Sequence, residues 1–99
     1  MNLPKYTIIK YIRNRKKVPY GVLVAVKNPE GYNIGYSLCS KHDRFEKSMA
    51  LRIAIGRANF SSQSILDDQN IPRDIIKAIP DFVNRCERYY KPGFVDVNT

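Results

Sequence analysis

A chain of 99 residues makes one domain with one core, and its 43% hydrophobic and 11% aromatic content excludes a disordered basic tail. The formal charge of the whole chain is +8, and its excess of bases lies wholly in residues 1–60, which hold twelve Lys and Arg against only Glu30, Asp43 and Glu46; residues 61–99 hold five bases and six acids. A field this one-sided attracts polyanions and raises their encounter rate, and no apolar run approaches the roughly 18–20 residues of a membrane span.

The N-terminal stretch MNLPKYTIIKYIRNRKK alternates and has neither a contiguous apolar stretch nor an A-x-A-like cleavage site, so it reads as structure and not as a leader. Residues 6–13 are β-rich, and Asn14-Arg15-Lys16-Lys17 breaks the run. Residues 18–27 form the strongest strand, with Tyr20, Val22, Val24 and Val26 on one face and Gly21, Leu23, Ala25 and Lys27 on the other. Asn28-Pro29-Glu30-Gly31 has turn chemistry. Residues 32–39 then alternate, Tyr32, Ile34, Tyr36 and Leu38 against Asn33, Gly35, Ser37 and Cys39. Short connections imply an antiparallel three-stranded meander.

A helix follows over about 43–60, started by Asp43 and Glu46 at capping-box spacing, with Ser40 and Asp43 as a second register. Phe45, Met49, Ile53, Gly56 and Phe60 fall on one stripe, expected against the sheet. Leu51, Ile55 and Ala58 fall on another, expected under a C-terminal helix. Gly56 lies within the first stripe, where a close backbone approach is expected. Residues 61–71 make a polar connection. Ile71, Ile75, Ile79, Phe82, Val83, Cys86 and Tyr90 then recur at helical spacing over about 72–91. Pro80 predicts a kink or two consecutive helices near Ile79. Residues 92–99 are a tail. The fold class is α+β, a single domain over 1–99: a three-stranded antiparallel meander, a central helix and a kinked C-terminal helical segment.

Cys39 and Cys86 read as reduced thiols, though their spacing leaves a disulfide open. With no C-x-x-C and a single histidine, His42, no zinc site is expected, and no cofactor is implied.

The strongest candidate contacts are basic. Arg13, Arg15, Lys16 and Lys17 would project together from a hairpin tip toward phosphates, or simply solvate a turn. At the strand-to-helix junction, Ser40, Lys41, His42 and Arg44 would surround a helix N-terminus, whose unpaired N–H groups suit an anion unless Asp43 fills the place. Lys47, Arg52 and Arg57 read as solvated helix flanks. Tyr11, beside the basic tip, is the candidate for stacking a base; the other tyrosines read as packing. Catalysis has little support, because one loop holding Ser, His and Asp makes no triad.

The stretch GYSLCSKHDRFEKSMALRIAIGRA (35–58) and the later IPxxIxxxIxxFxxRCxRYY run (71–90) are similar to small uncharacterised proteins encoded by tailed phages, in the G-Y-S, K-x-D-x-F-x-K and I-A-x-G-R-A elements. That resemblance implies a host-takeover or anti-defence setting in the cytoplasm of a bacterial cell. In topology, three antiparallel strands and a helix also resemble Apetala-type and integrase-type DNA-binding domains, which lay the sheet in the major groove. The chain departs from the Apetala-type family in lacking its tryptophan and strand-borne arginines, and in adding a C-terminal helix.

The leading expectation is a small basic non-enzymatic protein that contacts nucleic-acid phosphates with low sequence specificity. The alternatives are an inhibitor or adaptor bound to an acidic surface of a host protein, and capture of a phosphorylated small ligand at a helix N-terminus. No membrane partner is expected; a homodimer is possible through an uncovered sheet face or a strand edge.

Overall fold

The computed structural model describes residues 3–29, 31–39, 44–60 and 71–90. The elements are β1 (Ile8–Arg13), β2 (Pro19–Asn28), β3 (Gly31–Leu38), α1 (Lys47–Phe60) and α2 (Arg73–Tyr89). The strands make one antiparallel sheet in the order β1-β2-β3, so the fold is the α+β meander followed by helices that the alternation implies. Ile12 and Leu38 both pair with Gly21. The β1–β2 turn and the end of β3 therefore share one end of the sheet, called the tip end below.

The helices lie on opposite faces. Val22, Val24 and Val26 pack with Ala50, Ala54, Ile55 and Ala58 of α1. Leu23 and Ala25, with Ile8 and Ile12, pack with Ile75, Ile79, Phe82 and Cys86 of α2. This corrects the expectation that α2 would cover the Leu51–Ile55–Ala58 stripe: that stripe meets the sheet. Each sheet face carries a helix, so the uncovered face anticipated for a homodimer does not exist.

The stripe that meets the sheet also differs. Met49 is 56% and Ile53 40% exposed, whereas Ala54 and Ala58 are fully buried. The cause lies on the strand opposite. Gly35 and buried Ser37 leave no bulk on that face of β3, so the helix descends until only alanines fit. A Cβ on Gly35 would clash with the Ala54 carbonyl and come within 2.6 Å of the Ala58 nitrogen. The close approach expected at Gly56 is at Gly35 instead, and around Gly56 the space is open.

Three boundaries shift for local reasons. Tyr6 has a positive φ of 61°, so β1 begins at Ile8 and not at 6. Ile12 pairs with Gly21 but Arg13 with Pro19, which leaves Tyr20 as a bulge. A bulge re-aims its side chain, and Tyr20 joins the α2-side cluster away from Val22. Helix α1 begins at Lys47, not 43, with the Glu46 carbonyl accepting from the Ala50 N–H at 2.9 Å.

Helix α2 runs unbroken through Pro80 for 17 residues, where two short helices were an alternative. Both Pro80 and Ile76, whose carbonyl loses its partner to the proline, are exposed, so water can take the place of the missing donor.

Side chains tie α2 to the sheet. The Tyr32 hydroxyl donates to Glu87 at 2.7 Å, and the Tyr32 ring stacks on Tyr90 with centroids 5.2 Å apart. The Tyr90 hydroxyl donates to the Tyr6 carbonyl and lies 3.3 Å from that of Ala25. Burial, then the Glu87 carboxylate, pushes the Tyr32 hydroxyl far above its usual range; burial does the same to Tyr90. Toward the tip end, burial and the neighbouring Asp74 carboxylate raise Tyr20. Cys39 and Cys86 are not joined in a disulfide, and burial pushes Cys86 up to about 11.

Candidate functional site

The β1–β2 turn presents Arg13 to Val18 as six consecutive exposed residues. Its backbone is held by the side chains of Asn14 and Arg13 and by its own hydrogen bonds. The Asn14 side-chain oxygen accepts from the N–H groups of Lys16 (2.9 Å) and Val18 (3.0 Å). The Asn14 N–H donates to the Val18 carbonyl at 3.0 Å, and the Lys17 N–H to the Asn14 carbonyl at 2.9 Å. Arg13 closes the turn by donating to the Lys17 carbonyl at 3.0 Å. Lys17 takes a left-handed φ of 65°. The bases Arg15, Lys16 and Lys17 thus stand on a braced turn while their side chains remain in solvent.

The entry to α1 lies beside this turn. Phe45 meets the Tyr11 ring edge-on, with centroids 6.4 Å apart. That contact sets Lys47 with its ammonium 5.1 Å from the centre of the same ring, and the Arg13 guanidinium sits 5.8 Å from it. A hairpin base and a helix base are therefore gathered on one tyrosine. Each cation–π contact is worth about 0.5–1 kcal/mol at an exposed site, but the two cations repel each other. Among the described residues no acid pairs with Arg13, Arg15, Lys16, Lys17, Arg44 or Lys47. Arg44 is exposed and borders a mostly apolar cleft of about 430 Å³ with Leu38, Cys39, Phe45 and Ile53.

The sequence-predicted residues divide accordingly. Arg13, Arg15, Lys16, Lys17 and Arg44 come to the tip end. Tyr11 is there too, half-buried, with Arg13 and Lys47 both against its ring. Ser40, Lys41 and His42 lie outside the described residues. Because α1 starts at Lys47, its first turn is not at residue 43, where the anion-binding junction was expected.

Lys47, a solvated flank by its sequence, stands beside the turn bases. No local pattern marks it, since its partner is on β1. Arg57, also read as a flank, donates to the Tyr36 carbonyl at 2.9 Å and lies 5.0 Å from the Tyr36 ring. From the other helix, Arg85 donates to the Ile9 carbonyl at 3.2 Å. Each edge strand of the sheet thus has a carbonyl taken by an arginine, which blunts edge-to-edge pairing.

The face of the sheet that an integrase-type domain would lay into DNA is filled by Ile75, Ile79, Phe82 and Cys86 of α2. A sheet-face mode of binding is closed to this chain. Among the described residues no cluster of His, Cys, Asp and Glu could hold a metal, and no helix is long and apolar enough to cross a membrane. Comparison with protein-family models, curated proteins and solved structures gives no match.

Proposed function

We propose that this is a small non-enzymatic protein that binds nucleic-acid phosphates through the tip end of its sheet, with little sequence specificity. The observation that carries the reading is the convergence of Arg13 and Lys47 on the Tyr11 ring beside exposed Arg15, Lys16 and Lys17. Gathering like charges costs free energy, and a bound polyanion offsets that cost. Arg44 extends the positive surface, and Lys41 lies in the adjoining sequence. The phage-like elements of residues 35–58 support a setting of host takeover inside a bacterial cell.

If about six phosphates are contacted, affinity falls on the order of a thousandfold between about 50 and 200 mM salt, with log affinity linear in log salt. Fluorescence anisotropy with labelled nucleic acid tests this. No binding to DNA or RNA at low salt overturns the reading.

A second reading, an inhibitor or adaptor on an acidic host surface, draws on exposed Met49 and Ile53 beside the Arg44 cleft. A stoichiometric protein partner that survives nuclease treatment, and that Met49→Asp releases, favours it over nucleic acid.

A further inference from the structure

We infer, resting on the phosphate-binding reading, that the ligand of the tip end is double-helical DNA, with the β1–β2 turn entering the major groove. Single strands are held by stacking successive bases on exposed aromatic rings, at about 1–3 kcal/mol per base. The tip end has no such ring. Tyr11 is half-buried, its ring approached by Arg13, Lys47 and the edge of Phe45. Among the described residues the one exposed large aromatic is Tyr89, in the last turn of α2, next to Tyr90 at the opposite end of the sheet. Neither sheet face can act as a stacking platform, because each lies under a helix.

What the tip does offer suits a groove. The part that stands clear of β3, which follows β2 as far as Tyr20, is the turn from Arg13 to Pro19; its two legs are about 5 Å apart and with their side chains fit a B-form major groove about 12 Å wide. The turn is braced by Asn14, so it keeps its shape on entry. Arg15, Lys16 and Lys17 at the apex face the groove walls. Arg44 and Lys47, set back on the α1 side, reach the phosphates of one flank. The major groove of A-form RNA is too narrow and deep to be read this way, so the assignment is to DNA.

Base reading is limited by the same geometry. The Asn14 side-chain oxygen, a group that could recognise a base edge, is spent on its own turn. Arg15 is the one arginine at the apex free to address guanine.

The test uses the full chain and one mixed sequence of about 20 nucleotides in three forms: single-stranded DNA, duplex DNA and duplex RNA. The duplex is expected to bind about tenfold more tightly than either alternative at about 100 mM salt, with the steepest salt slope. Tyr11→Leu, its fold checked by circular dichroism, is expected to leave the ratio of duplex to single-strand affinity within about twofold. Equal or tighter binding of single strands, loss of only single-strand binding in Tyr11→Leu, or a preference for duplex RNA overturns this inference and leaves phosphate binding standing. Failure of all three nucleic acids to bind overturns the parent reading as well.

Discussion

Replacing Gly35 with alanine should destabilise the protein by about 3 kcal/mol or more, at the upper end of the cost of overpacking. The added methyl would meet backbone of α1, at the Ala54 carbonyl and 2.6 Å from the Ala58 nitrogen. A flexible side chain could swing aside; a helix backbone cannot. The whole of α1 would have to lift, loosening Ala50, Ala54 and Ala58 from Val22 and Val24. Against a typical total of about 5–15 kcal/mol, this is a large fraction. Gly56→Ala is the counterpart: its Cβ would meet nothing within 4 Å, and removing an interior helix glycine should stabilise by about 0.5–1 kcal/mol. Urea titrations followed by circular dichroism measure both. A Gly35→Ala loss below about 1 kcal/mol would show that the helix seats itself elsewhere.

The second large effect concerns the turn. The triple variant Arg15→Ala, Lys16→Ala, Lys17→Gly should weaken DNA binding about a hundredfold at about 100 mM salt and reduce the salt slope by about 2.7, the share of three phosphate contacts. Glycine is chosen at position 17 because it accepts the φ of 65° there without strain. All three side chains are exposed, and the turn is held by Asn14 and backbone, so stability should barely change. Affinity within twofold of the parent, with an unchanged slope, would sink the assignment of the tip as the binding end. Arg57→Ala is the control for position: it removes one base from a sheet edge away from the turn and should leave DNA affinity within about twofold.

Much of the fold is legible in alternation. The faces of β3 are as its sequence implies, because a period of two needs no knowledge of the partner strand. The seating of α1 is not legible in its own residues. Met49 and Ile53 look like core by size and spacing, yet the glycine and serine of β3 select the small residues instead, and of that stripe Phe45 packs against the sheet-side cluster. That choice depends on a strand ten residues or more away. The side of the sheet that α2 takes is equally non-local, since an amphipathic helix fits either face. Tyr20 leaves its expected face because of a bulge, set by the register of β1 against β2.

The candidate site is legible to a similar depth. Arg13, Arg15, Lys16 and Lys17 are recognisable because a turn between apolar strands exposes its charges together. Asn14 could have been found, since asparagine commonly braces a turn with its side chain. Lys47 could not, because only the docking of Phe45 on Tyr11 carries it to the tip end. Arg57 and Arg85 are indistinguishable in sequence from solvated bases, because the edge carbonyls they occupy belong to strands 21 and 76 residues away.

The contact of Tyr90 with the Tyr6 and Ala25 carbonyls has a practical consequence. It brings the start and finish of the described chain to the blunt end of the sheet, opposite Arg15–Lys17. A dye or a tether joined through exposed Lys5 begins its path there. The protein can be held by one end in a surface-binding or single-molecule experiment while the other end faces the solution.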